Sequence, residues 1–316
     1  MGKSQIPIFV GGTGRSGTTI VGDLLGRHPA VFLSNPTEIK FFANRSGMLD
    51  LVFGRKDTFK PIPRFENFQS HQKRKKVIER NKAKVAAIES EFQSLLWDKW
   101  FEIDALPPHG PGLKVTITKE KLGKLLSKYS IEARINSLWA SRRFMKSYIK
   151  NQLQGAKPRY WVETTPMNIS MANQITRVFP NAFFINMVRD PRDVISSLLS
   201  KNWGPNTPEE GLIWVEKRLL ADRESLSKIP VAKQLTIHLE DLVIHDRDSS
   251  FGKLLNFLEL PDSDQMREFF NLQMSPISAS SGRWRENLNN ELFLEEYARM
   301  LNRLEDAGVD LSRYRS

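Results

Sequence analysis

The sequence predicts an α/β protein: a parallel sheet flanked by helices, with a helical insertion. Three observations carry this prediction. Short apolar runs alternate with helical patterns towards both ends of the chain, long helical stretches fill the middle, and a glycine-rich loop joins the first apolar run to the first helical pattern. Strands that alternate with helices form parallel sheets covered on both faces. The 316 residues are read as one domain, with an α/β core at 5–50 and 158–260. The insertion spans about 51–157, and a closing segment with a final helix spans 261–316.

The elements follow in order. IPIFVGG (6–12) is a strand ending in glycines, TTIVGDLLGRH (18–28) places Ile20, Val21, Leu24 and Leu25 on helical spacing, and AVFLS (30–34) is a second strand. In the insertion, VIERNKAKVAAIESEFQSLLWDKWF (77–101) and IEARINSLWASRRFMKSYIKNQL (131–153) read as long helices, and Ile131, Ile135, Leu138, Trp139 and Tyr148 can share one broad face. ALPPHGPG (105–112) is a loop between them. RYWVET (159–164), AFFINMV (182–188) and QLTIHL (234–239) are further strands, each leading into a helical pattern. Thr207 and Glu210 have the spacing of a capping box, so a helix starts there. The last helix runs near 290–308 and stops at Gly308.

Composition bounds the function. With 40% hydrophobic and 26% charged residues and no apolar run near the roughly 20 residues needed to cross a bilayer, the chain reads as soluble. A glycine-rich loop stands where a secretory signal would place its apolar centre, so the expected location is cytoplasmic. Zero cysteines exclude disulfides and thiolate metal sites. Lys and Arg total 47 against 36 Asp and Glu, a net charge of +11, which favours anionic partners. The stretch 71–84 holds seven Lys or Arg residues against one Glu: a solvated helix face, or a patch open to an acceptor or to peripheral membrane contact.

The loop GGTGRSGTT (11–19) has the two-glycine spacing of a phosphate-binding loop at Gly12 and Gly17. Roughly one such pair is expected by chance, so the weight falls on context: a strand before, hydroxyls at Thr18 and Thr19 after, and an amphipathic helix at once. Backbone amides in such a turn, at the positive end of a helix dipole, bind anions. Thr18 stands where nucleoside-triphosphate-hydrolysing loops carry lysine, and Arg15 supplies a charge three residues earlier. That equipment suits a donor handled by Arg, hydroxyls and amides without a metal. A second anion site is read in RDPRDVISSLL (189–199), where Arg189 closes a strand, Pro191 opens a helix and Ser197 follows two turns in.

Together these two segments resemble the sulfotransferases that use 3′-phosphoadenosine 5′-phosphosulfate (PAPS). The resemblance extends to HLEDLV (238–243), FLELP (257–261) and SGRWRENL (281–288), and leaves the helical middle uncovered. It implies a P-loop NTPase-like sheet, PAPS as donor and no metal. In that family the first loop grips the 5′-phosphosulfate, which assigns Gly14, Arg15, Ser16, Gly17, Thr18 and Thr19; the second motif binds the 3′-phosphate, which assigns Arg189 and Ser197. The late basic stretch closes over the donor through Gly282, Arg283, Trp284 and Arg285, with Trp284 or Trp203 against adenine. Core packing is the alternative for both tryptophans.

The expected partners are the nucleotide donor and a hydroxyl acceptor, with no nucleic acid. HPAVFLSNPTEIKFF (28–42) resembles the segment of glycan-modifying members in which a glutamate is the base, so Glu38 is the candidate base and the acceptor leans towards a carbohydrate or glycolipid-like hydroxyl. Lys40 either orients Glu38 or faces the sulfuryl oxygens, and Arg15, Thr18 and Thr19 stabilise charge on the breaking bond. Cytosolic small-molecule members use histidine, and among the five histidines His109 is the rival base. WVETTPMN (161–168) resembles an acceptor-side segment, with Thr164 where relatives have lysine and Thr165 and Asn168 as polar contacts. Two other readings compete. A P-loop small-molecule or sugar kinase lacks its lysine and has Asp190 as its nearest carboxylate; a nucleic-acid-binding or nucleotide-sensing module would need aromatics among the bases of 72–91, which hold none.

Overall fold

The structure, a computed structural model, describes residues 5–54, 68–102 and 111–315, with side chains from residue 71 in the second segment. His109 and most of the Pro/Gly loop lie outside the described residues. Five parallel strands form one sheet: β1 (Ile6–Gly12), β2 (Val31–Leu33), β3 (Tyr160–Glu163), β4 (Phe183–Val188) and β5 (Gln234–His238), in the order β2-β3-β1-β4-β5. The register pairs Ile8 with Val162 on one side of β1 and with Phe183 on the other. β1 is therefore central, and the loop after it lies beside the loop after β4. Both loops sit at strand carboxyl ends, where open α/β sheets bind ligands.

Period-two alternation sends Ile8 and Val10 to one face of β1 and Phe9 to the other. Ile8 and Val10 join Val162, Ile185, Met187 and Ile237 in a layer covered by α1 (Thr18–Gly26), α8 (Arg247–Leu258) and α9 (Asp264–Gln273). Phe9 meets Trp161 edge-on and lies near Phe184 and Phe179. A second apolar cluster joins α6 (Pro191–Leu199), α7 (Pro208–Leu226) and α12 (Glu291–Asp306), with Val188, Trp284 and Tyr314 among its members. Each fully buried aliphatic side chain contributes about 1.5–3 kcal/mol, so these layers hold the loops in place.

Two compact units divide the chain: Met1–Thr37 with Ala156–Ser316, and Glu38–Gly155. The helical unit thus begins at Glu38, ahead of residue 51, because Phe41 and Phe42 are fully buried and Phe41 packs edge-on against Phe144 and Tyr148. It contains α2 (Met48–Phe53), α3 (Phe68–Leu95) and α4 (Lys119–Leu153). The single apolar face expected on α4 does not form: Ile131 is 66% and Ile135 90% exposed, whereas Tyr148 is buried. Asn136 leaves helical geometry (φ −154, ψ 103) and breaks the phase, so the buried stripe runs through Leu122, Leu126 and Tyr129 before the kink and Phe144, Tyr148 and Ile149 after it.

Helix starts follow the sequence with one change. Thr207 caps α7 by accepting the Glu210 amide at 3.3 Å, but the Glu210 carboxylate reaches back to the Asn206 amide at 2.8 Å, one residue beyond the reciprocal bond of a capping box. Among the described residues no helix is long and apolar enough to cross a membrane.

Candidate functional site

The loop after β1 is built by backbone geometry. Gly12, Gly14, Arg15 and Gly17 all have positive φ, at 149, 78, 57 and 93. A Cβ on Gly12 would lie 2.2 Å from the Met187 carbonyl oxygen, so glycine there lets β1 and β4 stay paired as the chain turns. Gly17 caps α1 with no side-chain acceptor, so the first amides of the helix are directed at the loop. Thr18 and Ser16 are buried, and the Ser16 hydroxyl has no hydrogen-bond partner among the described residues.

The two predicted anion segments meet. Arg15 Nε donates to Ser197 Oγ at 3.0 Å, and Arg189 Nη1 donates to the Arg15 carbonyl at 3.0 Å. Arg189 Nη2 donates to the Ser280 carbonyl at 2.8 Å, which brings the late basic stretch to the same place. Arg189 is 8% exposed, and its Nε has no hydrogen-bond partner among the described residues. A guanidinium with one unmatched donor beside a turn rich in amides is suited to a phosphate oxygen.

Asp193, which sequence reasoning passed over, anchors this arrangement. Its carboxylate accepts the Gly282 amide at 2.7 Å and the Trp284 amide at 3.0 Å, and lies 3.8 Å from Arg189 Nη2. Gly282 (φ 80) turns the chain so that residues 280–284 arch over Arg189. Beyond the turn the four assigned residues part ways. Arg283 and Arg285 are exposed, with Arg283 3.9 Å from Glu286. Trp284 is 5% exposed and has the Arg192 and Arg285 guanidiniums 4.0 and 4.6 Å from its ring. It is a core side chain rather than an open adenine platform, because the apolar layer under α6 claims it. Trp203 is 51% exposed.

The polar residues after β3 also serve the fold. Glu163 is fully buried and accepts the Thr165 amide and hydroxyl and, at 2.6 Å, Asn168 Nδ2, which also donates to the Val10 carbonyl at 3.0 Å. Thr164 donates twice to the Thr37 carbonyl. Asn168 therefore ties β3 to β1, and Thr165 is bound to Glu163 at the end of β3. His28 is a helix-end bridge: its Nδ1 accepts the Ala30 amide, leaving Nε2 to donate to the Pro261 carbonyl. Burial, followed by the charge of Arg313, pushes the His238 pKa below its ordinary value.

Beneath the loop, Arg218 of α7 donates to the Gly12 carbonyl at 3.1 Å and contacts Met167 Sδ. Its Nε lies 3.4 Å from Asp222, whose burial pushes the carboxyl pKa up to about 7 against the opposing charge of Arg218. No sequence motif marked this pair; the only signal was opposite charges four residues apart on a helix. In the helical unit, Lys40 Nζ lies 3.9 Å from Glu38, with both side chains 18% exposed.

A parallel-sheet α/β protein with a glycine-rich loop after its central strand and a buried arginine after the neighbouring strand is the class these features define. The chain belongs to the sulfotransferase family, whose model matches residues 7–264. It is 22% identical over 286 residues to a protein-tyrosine sulfotransferase of Drosophila melanogaster, covering 87% of this chain and 43% of that protein. The chain thus spans less than half the length of that relative. Similar solved structures include a sulfotransferase from Alicyclobacillus acidocaldarius (14% identity, 99% and 100% of the two chains, TM-score 0.49) and one from Mycobacterium avium (14%, 95% and 77%, 0.45).

Proposed function

We propose that the protein transfers a sulfuryl group from PAPS to an acceptor hydroxyl, in the cytoplasm and without a metal. The observation that carries the reading is the junction of Arg189, Arg15 and Ser197. Two segments 174 residues apart are hydrogen-bonded into one site, and Arg189 Nε, Ser16 Oγ and Ser281 Oγ around it are buried without a protein partner among the described residues. Buried polar atoms need partners, and phosphate and sulfuryl oxygens are acceptors of the right kind for all three.

In this reading Gly14, Arg15, Ser16, Gly17, Thr18 and Thr19 hold the 5′-phosphosulfate, and Arg189 and Ser197 hold the 3′-phosphate, with the turn at Gly282 over them. The acceptor oxygen attacks sulfur as the bond from sulfur to the bridging phosphate oxygen breaks. The electron pair leaves on the nucleotide, and the acceptor proton passes to Glu38. Arg15 and the loop amides stabilise the charge that develops on the leaving oxygens.

The resemblance around Glu38 favours a carbohydrate or glycolipid-like hydroxyl. The name of the Drosophila relative supports a phenolic hydroxyl of tyrosine as a second reading.

Calorimetric titration in EDTA tests the donor. Adenosine 3′,5′-bisphosphate is expected to bind micromolar and tighter than AMP or ATP, and Arg189→Ala is expected to abolish the preference for the 3′-phosphate. Equal binding of AMP, or ATP binding that requires Mg²⁺, would overturn the donor assignment.

A further inference from the structure

Arg189 is placed by the backbone of a short turn between β4 and α6. The β4 ladder ends at Val188, and Pro191 opens α6 without an N–H, so the Asp190 amide is the last donor between strand and helix. It donates to Glu240 Oε1 at 3.0 Å. Glu240 follows β5 by two residues and is 7% exposed. Its other oxygen accepts the Tyr314 hydroxyl at 2.7 Å, so both carboxylate oxygens are engaged and the rotamer is fixed.

Tyr314 is itself held on three sides. Its carbonyl accepts the Tyr297 hydroxyl at 3.0 Å, and its neighbour Arg313 forks onto Asp241, at 2.6 Å for Nη1. His238 Nδ1 lies 2.9 Å from the Tyr314 hydroxyl oxygen; with the phenolic proton committed to Glu240, the imidazole is the donor in that bond. A continuous chain of hydrogen bonds thus runs from His238 through Tyr314 and Glu240 to the amide next to Arg189. Asp190 in turn caps α6 and holds Arg192, and α6 carries Asp193 and Ser197.

We propose that Glu240 and Tyr314 form a strut that sets the position of Arg189 and the first turn of α6, which makes them positioning residues for recognition of the 3′-phosphate; this rests on the donor reading above. Neither residue is among those assigned to the donor. Removing the Tyr314 hydroxyl leaves Glu240 Oε2 without its donor, lets the carboxylate turn and releases the Asp190 amide. The loop after β1 is joined to this strut through the Arg189 bond to the Arg15 carbonyl and keeps its own glycine-built turn, so the 5′ half of the site is expected to change less than the 3′ half.

The test uses Tyr314→Phe, Glu240→Gln and, as a control for general loosening, Leu301→Ala in the same apolar cluster. The first readout is the ratio of AMP to adenosine 3′,5′-bisphosphate dissociation constants. It is expected to fall about tenfold in the two strut variants, the effect of one hydrogen bond lost. AMP affinity should stay within twofold, and Leu301→Ala should lower Tm without moving the ratio. The second readout needs no ligand: amide hydrogen exchange over 189–199 should quicken in the strut variants and stay unchanged over 18–26. Unchanged exchange over 189–199, an equal loss of both nucleotides, or the same loss of ratio in Leu301→Ala overturns the strut. A wild-type protein with no 3′-phosphate preference overturns the donor reading instead, and the exchange result then decides on the strut alone.

Discussion

Arg15 takes a left-handed backbone conformation that costs a non-glycine residue on the order of 1 kcal/mol. Its carbonyl is held by Arg189 and its Nε by Ser197, and these two bonds offset the strain. That Arg189 and Ser197 both meet Arg15 at one strand end was foreseeable, because a fixed spacing across a strand-to-helix turn brings both groups there. Core packing was one of the two readings open for Trp284, and its burial selects that one; the roles of Thr165 and Asn168 were harder, because a single sequence does not display which polar residues the core will claim. Glu38 belongs to the same scale. Glu38→Gln is expected to lower kcat by about 10²–10⁴ while the dissociation constant for adenosine 3′,5′-bisphosphate is unchanged, the range for loss of a general base. Steady-state turnover beside calorimetry checks it, and retained turnover removes Glu38 from the chemistry.

Among the elements, α7 carries the least expected duty. It places Arg218 against the first carbonyl of the loop and pairs it with Asp222, neither of whose carboxylate oxygens meets hydrogen-bond geometry among the described residues. Burial raises the Asp222 pKa from 3.8 to about 7, so between those values the folded protein holds a proton that the unfolded chain has lost. Stability is then lost as pH rises through that window and levels off above about 7. Asp222→Asn fixes the neutral form. Relative to the parent, the variant should gain about 3 kcal/mol between pH 5 and pH 8 in urea unfolding, the two units spanned below pH 7. A constant difference between the two proteins would show that Asp222 titrates normally. The helical periodicity of α4 misled for a related reason: Asn136 breaks the phase, and a kink is not written in hydrophobic spacing.

For the whole molecule, alternation of strands and helices sufficed to foresee a parallel sheet, because buried strands and covering helices have different periods. The boundary of the helical unit was harder, since Phe41 and Phe42 look like any apolar pair until their packing partners are known. The net charge of +11 acts at this scale too. The association rate of adenosine 3′,5′-bisphosphate should fall severalfold between 50 and 500 mM salt, with the dissociation rate changing less. Stopped-flow mixing measures both, and a salt effect confined to dissociation would assign it to local contacts instead of the overall field.

The pairing of β2 with β3 has a consequence for how the chain reaches this structure. These neighbouring strands, with Val31 beside Tyr160, are joined only through the helical unit. A flexible connection of about 120 residues costs roughly 1.5 kcal/mol more in closure entropy than one of about 20. If the helices of that unit form first, they shorten the effective loop before the strands meet. The order of assembly is then insertion before sheet edge, and β2, three residues long, is the last strand to dock.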